Sequence, residues 1–141
     1  MDSLLIPDKI MSEMLEHCRR AYPNEACGIL AGSGNRAERI FPAENVNPSP
    51  YSYEMSSTGQ MRILREIKTS GLSVVAIYHS HPESAPYPSS TDRARAFFPG
   101  TEELNYPDAA YVIISLLDNR PASRAFLIGK QGITEIPVKS S

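Results

Sequence analysis

The sequence lacks a long apolar run, a cluster of like charges and any internal repeat. Its longest apolar stretches, such as AAYVIISLL at 109–117, are less than half of the ~20 residues that a membrane-spanning helix needs. With 14 basic and 16 acidic residues and no run of either sign, charge gives no reason to expect a nucleic acid or a membrane as partner. We therefore expect a soluble protein that binds neither.

Cysteine is also scarce. The two cysteines, Cys18 and Cys27, form no CxxC pair, and the start MDSLLIPDKI lacks the basic segment and apolar core of an export signal. A reducing cytoplasm is the expected compartment. Because the 141 residues contain no low-complexity segment or interdomain linker, we expect one domain, 1–141.

Three segments have the pattern of helices. In the first, Ile10, Met14 and Cys18 recur at helical spacing. In the third, Ser89 or Ser90 is suited to cap the first turn. The predicted helices cover about 7–22, 59–69 and 91–98.

The remaining apolar segments predict strands. The run SVVAIYHSH at 73–81 is rich in β-branched and aromatic residues and stops at Pro82, as a central strand does. The other predicted strands cover about 28–31, 38–46, 53–56, 110–116, 123–128 and 133–138. Strands interleaved with helices predict an α/β (α+β) fold in which a mixed sheet packs against helices.

Two histidines end the strand at 73–81. Side chains two residues apart in a strand point to the same face, so His79 and His81 can converge on one ion. Imidazole nitrogen suits zinc, but a site with one open position needs a third protein ligand. Asp92 is the candidate, because it lies in the first turn of a helix that a proline-rich loop brings back toward the strand end.

A hydrolytic centre also needs a proton carrier and a donor for the developing oxyanion. Glu25 follows a turn and precedes an apolar strand, where a carboxylate is costly to bury without a chemical reason. Ser89, three residues before Asp92, is placed to donate a hydrogen bond to the oxyanion. Together with a metal ion, these groups predict the hydrolysis of an amide bond.

Each of these residues also has an ordinary structural explanation. The pair His79 and His81 can arise by chance, with one ring buried and hydrogen-bonded. Ser89 and Asp92 form the sequence pattern of a capping box. Glu25 taken alone reads as a solvated turn residue. Only the combination favours a catalytic site.

Other candidates are weaker. Apolar neighbours indicate that Cys27 is a small buried residue rather than a ligand or nucleophile. His17 has no ligand partner at suitable spacing, which favours a structural role. Tyr51, Tyr53 and Tyr87 are candidates to line a peptide groove.

The combined pattern resembles the JAMM, or MPN-plus, metalloprotease family. The motif is an upstream glutamate, then H-x-H, seven residues, S, two residues and D, and it is filled here by Glu25, His79-Ser80-His81, Ser89 and Asp92. The segment NEACGIL is similar to the family's glutamate-bearing strand. The similarity extends in size and element order over nearly the whole chain.

The resemblance implies one zinc ion held by His79, His81 and Asp92, with Glu25 as general acid/base and Ser89 assisting the tetrahedral intermediate. It implies a curved mixed sheet flanked by helices, similar to the cytidine-deaminase architecture. The short chain looks like the small bacterial branch, whose members trim residues or an amino-acid adduct, notably cysteine, from the C-terminal Gly-Gly of ubiquitin-like sulfur-carrier proteins.

Other functions stay open at this point. A non-catalytic MPN scaffold would lack a ligand, and every motif position is filled here. A zinc hydrolase of other peptides would use the same centre. A zinc deaminase would need H-x-E and P-C-x-x-C, and neither is present. The stretch 99–107 is a candidate flap over the site.

Overall fold

The computed structural model describes residues 1–140. In this range the chain forms three helices and eight strands. The helices are α1 (Asp8–Ala21), α2 (Ser57–Thr69) and α3 (Ser90–Arg95), and none of them is both long and apolar enough to cross a bilayer. The strands are β1 (Leu4–Leu5), β2 (Cys27–Ser33), β3 (Arg36–Ala43), β4 (Ser73–His81), β5 (Ala110–Ser115), β6 (Ala122–Gly129), β7 (Gly132–Ile136) and β8 (Val138–Lys139).

The strands within residues 1–140 form one sheet, in the order β7-β6-β5-β4-β2-β3-β1-β8. β4 is parallel to β5, and β1 is parallel to both β3 and β8, whereas the other pairs are antiparallel. β7 and β8 stand at opposite ends of this order, yet only Pro137 separates them along the chain. The sheet therefore curves until its borders adjoin, which confirms the predicted curved mixed sheet flanked by helices.

α1 packs on one face of the sheet because its apolar residues recur every four positions. Ile10, Met14 and Cys18 are buried and join a core cluster that includes Leu30 of β2 and Tyr78 of β4. Burying a large apolar side chain stabilises the fold by roughly 1.5–3 kcal/mol. This periodic stripe fixes the helix on the sheet.

α2 packs on the opposite face. Its buried residues, Ile63 and Ile67, join a second core cluster with Ile29, Ile77 and Tyr111 of the sheet. The helix begins at Ser56, whose hydroxyl accepts a hydrogen bond from the amide of Gly59 at 3.1 Å. The two clusters show that both faces of the central strands are covered.

Alternation along β4 decides which face the end of the strand presents. Tyr78 belongs to the cluster under α1, and Ile77 belongs to the cluster under α2. Because successive side chains point to opposite faces, His79 and His81 follow Ile77 to the α2 side.

All three predicted helices are present, and five of the seven predicted strands form with bounds within three residues of those expected. The strand predicted at 53–56 is wrong, since only an isolated bridge between Asn45 and Met55 forms there. The strand predicted at 133–138 is interrupted at Pro137, which has no amide hydrogen to donate. β1 was missed because two residues are too few for alternation to show.

Gly28 lies beneath the ring of its register partner Tyr78. A Cβ at this position would lie 2.3 to 2.5 Å from ring atoms of Tyr78. The ring is fully buried and its hydroxyl is 2.6 Å from His17 Nδ1, so it cannot move without disturbing that contact. We expect Gly28→Ala to lower the free energy of unfolding by about 1–3 kcal/mol in urea denaturation followed by circular dichroism.

Gly129→Ala in β6 is the matched control, because a Cβ there meets nothing within 4 Å. Its free energy of unfolding should stay within about 0.5 kcal/mol of the wild-type value. Equal stability of the two variants would show that the Tyr78 ring does not require a glycine beneath it.

Candidate metal centre

The end of β4 brings two imidazoles together. His79 and His81 are 1% and 3% exposed, and their Nε2 atoms lie 3.1 Å apart. β2 and β5 pair with β4 on either side, with Cys27 opposite His79 and Ser115 opposite His81. The ladders hold the backbone of His79 from both sides and the backbone of His81 from the β5 side.

Asp92 completes the cluster from the first turn of α3. Its Oδ2 lies 3.1 Å from His79 Nε2 and 3.0 Å from His81 Nε2. The same oxygen accepts a hydrogen bond from the amide of Ser89 at 2.9 Å, and Ser89 Oγ accepts one from the amide of Asp92 at 3.1 Å. This reciprocal pair is a capping box, so the structure contains both the cap and the convergence on the histidines.

The carbonyl of Ala85 sets the tautomer of His81. His81 Nδ1 lies 2.7 Å from this oxygen, which can only accept, so Nδ1 carries the hydrogen. In the neutral ring, Nε2 then directs a lone pair toward Asp92 Oδ2. A lone pair and a carboxylate oxygen repel each other at 3.0 Å unless a proton or a metal cation lies between them.

The three ligand atoms fit a divalent metal ion. They lie within 4.8 Å of one another, and their pair distances are 3.0 to 3.1 Å. Ligand atoms about 2.0–2.1 Å from a tetrahedral ion are about 3.3 Å apart, which is close to this spacing. Two imidazoles and one carboxylate are also a donor set of hydrolytic metal sites. His79, His81 and Asp92 are therefore a group that can hold a metal.

Burial acts on every ionisable group of the cluster. It lowers the pKa of His79, although Asp92 opposes this, so the His79 ring is neutral near pH 7. Burial alone would raise the pKa of Asp92, but the contacts with His79 and His81 outweigh it and hold that pKa well below its usual range. For His81 burial lowers the pKa, and the contacts with Asp92 and Ala85 more than reverse that. The carboxylate is thus ionised and ready to bind a cation.

Glu25 lies two residues before β2 and is only 3% exposed. Cys27 is the register partner of His79, so alternation places Glu25 on the face that carries the histidines. Burial raises the pKa of Glu25 to about 8, with His81 opposing the rise and Asp92 adding to it. A carboxyl group with a pKa near neutrality can both take up and release a proton.

Two buried side-chain atoms within residues 1–140 have no hydrogen-bond partner in the protein, and both belong to this region. They are Oε1 of Glu25 and Nδ1 of His79. An unpaired buried polar group costs about 1–3 kcal/mol, so it marks a place where another requirement outweighs stability. Both unpaired atoms lie at the candidate metal centre, where binding and proton transfer are requirements of that kind.

The two cysteines and His17 lie in structural positions, outside the group of ligand atoms. Cys18 and Cys27 are free and buried, and burial raises the pKa of each thiol to about 12, so neither is a thiolate near pH 7. His17 Nδ1 lies 2.6 Å from the hydroxyl of Tyr78 on the α1 side of the sheet. These positions agree with the structural roles expected for them.

A cavity of about 620 Å³ adjoins the cluster on the α2 side. Tyr53 connects the two, because its ring lines the cavity and packs against His79 with centroids 4.9 Å apart. Tyr51 and Tyr87, also predicted to line a groove, are exposed instead, and Tyr87 packs on Phe126. Three lining residues that sequence reasoning missed are Gln60, Arg95 and Phe97, whereas Asn105 and Tyr106 belong to the stretch 99–107 expected near the site.

The stretch 99–107 supplies one wall of this cavity. It is attached to α3 through Asn105, whose amide hydrogens bind the carbonyls of Ala96 and Arg95, both at 2.9 Å. Tyr106 meets Gln60 of α2 through its hydroxyl. The opening of this stretch as a flap stays a prediction.

Residues 7–129 match the family model described as prokaryotic homologs of the JAB domain. This chain belongs to that family. The membership confirms the resemblance to the JAMM/MPN family that was drawn from the motif.

Relatives of this JAB-family chain include named peptidases. The CysO-cysteine peptidase of Mycobacterium tuberculosis is 38% identical over 138 residues, which cover 96% of this chain and 89% of the relative. The desampylase of Haloferax volcanii is 41% identical over 96 residues, or 66% of this chain and 69% of the relative. A solution structure from Desulfitobacterium hafniense has a TM-score of 0.83 at 34% identity, covering 98% of this chain and 92% of that one. The JAB-family chain is a JAMM-type hydrolase, as expected from the motif.

We expect one divalent ion per chain in the wild-type protein, and loss of that ion in Asp92→Ala, because the substitution removes the only anionic ligand of the group. Metal content is measured by inductively coupled plasma mass spectrometry after gel filtration. Ser89→Ala is the control: it removes the cap acceptor at a cost of about 1 kcal/mol but leaves the backbone amide that binds Asp92. Metal retained by folded Asp92→Ala would contradict the ligand assignment.

Proposed function

We propose that this chain is a zinc peptidase that hydrolyses the amide bond after the C-terminal Gly-Gly of a ubiquitin-like sulfur-carrier protein, removing an adduct such as cysteine. The observation that supports metal-assisted hydrolysis is the convergence of two imidazoles and one carboxylate beside the buried Glu25. The peptidase relative named for a cysteine adduct aligns over 96% of this chain and supports the substrate class. The desampylase supports isopeptide conjugates as related substrates.

In this proposal His79, His81 and Asp92 hold the zinc ion. Zinc bound there supplies a Lewis acid, which polarises the scissile carbonyl and makes water more acidic. The Ser89 amide fixes Asp92 from one side, and the Ala85 carbonyl fixes His81 from the other. Held ligands keep the centre in one geometry through the reaction.

Glu25 is the general acid/base. Its carboxylate accepts a proton from the attacking water, whose oxygen forms the new bond to the carbonyl carbon. The C–N bond then breaks, and Glu25 returns the proton to the leaving amine. The products are a carrier that ends in Gly-Gly with a free carboxylate and a free amine, such as cysteine.

Ser89 assists at the oxyanion. Its Oγ accepts the hydrogen bond from the amide of Asp92, which leaves the hydroxyl hydrogen to donate. The side chain is half-buried and adjoins a ligand through the capping box. A donor held there stabilises negative charge as it develops.

The surroundings suit an extended polypeptide tail. The cavity next to Tyr53 gives room for substrate residues beside the centre, and its lining combines aromatic rings with amide and guanidinium donors. A single domain of residues 1–141 acting in the cytoplasm accords with the reduced, buried Cys18 and Cys27. The full ligand set disfavours the scaffold alternative, whereas hydrolysis of other peptides would use the same centre.

The deciding test is intact-mass spectrometry of a ubiquitin-like sulfur carrier from the same genome, extended at its C-terminus by cysteine and incubated with zinc-loaded protein. We expect the carrier to lose the mass of the terminal residue, and a chelator to stop the reaction. An unchanged carrier mass with folded, zinc-loaded protein would reject this substrate.

Glu25→Gln separates catalysis from metal binding. The amide is nearly isosteric with the carboxyl but cannot carry the proton, so we expect turnover to fall by at least 10²-fold while zinc content stays at the wild-type level. Turnover is followed by the same mass assay and zinc by plasma mass spectrometry. Loss of zinc from this variant would assign Glu25 a ligand role instead.

A further inference from the structure

Asn45 connects two segments of the site that are far apart in sequence. It lies after β3, and its Nδ2 donates a hydrogen bond to the backbone carbonyl of Glu25 at 3.0 Å. Its Oδ1 accepts from the amide of Glu54 at 3.0 Å and from the amide of Asn47 at 3.1 Å. One side-chain amide thus uses both its donor and its acceptor on backbone groups.

The Glu25 segment needs such a support because it lies outside the regular ladder. The last register pair between β2 and β4 joins Cys27 to His79. Beyond it, the amide of Ala26 donates to a side chain, Ser80 Oγ, at 2.8 Å, and the amide of Glu25 donates to the carbonyl of Ser49 at 2.8 Å. The bond from Asn45 holds the remaining backbone group of Glu25, its carbonyl.

The second segment carries Tyr53, whose ring packs on His79. Tyr53 directly precedes Glu54, and the amide of Glu54 is bound by Asn45. The carbonyl of Glu54 accepts a further bond from the amide of Val46 at 2.8 Å. Asn45 therefore ties the backbone of Glu25 to the backbone of the segment that carries Tyr53.

We propose that Asn45 is a positioning residue for catalysis: its amide holds the Glu25 carboxyl at the metal ligands, so that proton transfer depends on it while metal binding does not. The ligands lie on β4 and α3, and the side-chain hydrogen bonds of Asn45 within residues 1–140 go to other segments, at Glu25, Asn47 and Glu54. This inference rests on the proposed acid/base role of Glu25.

Asn45→Asp removes the donor and keeps the acceptor, and the charge that it adds is matched in the control below. The substitution keeps an oxygen for the amides of Glu54 and Asn47, but it replaces the donor to Glu25 with an oxygen that faces the Glu25 carbonyl. We expect kcat on the cysteine-extended carrier to fall at least tenfold, with KM within twofold of wild type and zinc content unchanged. Unchanged kcat, or zinc lost in proportion to activity, would overturn the proposal.

Asn35→Asp is the matched control. Asn35 Nδ2 also donates to a backbone carbonyl, that of Ser3 at 3.1 Å, but it lies in the turn after β2, at the opposite end of that strand from Glu25. We expect it to lose a similar side-chain bond and keep wild-type kcat. If kcat fell equally in Asn35→Asp and Asn45→Asp, Asn45 would contribute only to the stability of the fold and not to positioning Glu25.

Asn45→Ser is the second variant, for use if the Asn45→Asp protein does not fold. Serine adds no charge, and its side chain is too short to replace the bond to Glu25. The same kcat and KM criteria apply to it.

If wild-type protein leaves the carrier intact, the proposed substrate is wrong, and hydrogen exchange tests the role of Asn45 instead. Faster exchange at the amides of Glu25 and Ala26 in the Asn45 variant is then expected, and unchanged exchange would refute it.

Discussion

The site depends on the pairing of β4 within the sheet, which reaches His79 on both sides and His81 on the β5 side. Because β2 continues its ladder to His79 and β5 continues its ladder to His81, neither histidine sits on an unpaired strand end. A metal ligand must be held within a fraction of an ångström, and a strand in mid-sheet gives that precision at little entropic cost. The two rings therefore have fixed positions. The other groups of the site, from α3, the loop after β4 and the Glu25 segment, are arranged around them.

The carboxylate of Asp92 shows how one group can meet two demands. As the acidic member of a capping box it starts α3, and as a candidate metal ligand it faces the two imidazoles. A helix of only six residues has little stability of its own, so its start must be fixed by such local bonds. In this arrangement, the carboxylate oxygen that closes the first turn of α3 is also the one that faces the two imidazoles.

Local patterns in the sequence are sufficient for much of this arrangement. Strand alternation places His79 and His81 on one face, and the helix-start pattern at Ser89 brings Asp92 to the first turn. Glu25 could be singled out only in combination with the histidines, Ser89 and Asp92, because an isolated glutamate after a turn has no distinguishing periodicity. Its role remains a proposal that the buried position supports.

The features that sequence could not provide are those made by distant segments. The bonds of Asn45 join residues 20 and 9 positions away, and an asparagine after a strand otherwise reads as an ordinary turn residue. The cavity wall formed by Asn105 and Tyr106 is equally nonlocal. The strand expected at 53–56 failed for the related reason that only one bridge, at Met55, reaches a partner.

The meeting of β7 and β8 at Pro137 has a consequence for how copies of the protein behave toward one another. A sheet that ends in open borders exposes rows of main-chain donors and acceptors, onto which strands of other molecules can add. Here one border is a two-residue strand, and the residue that joins it to β7 is a proline, which has no amide hydrogen to donate. From so short a border beside a proline, we expect little strand-to-strand aggregation in a concentrated solution.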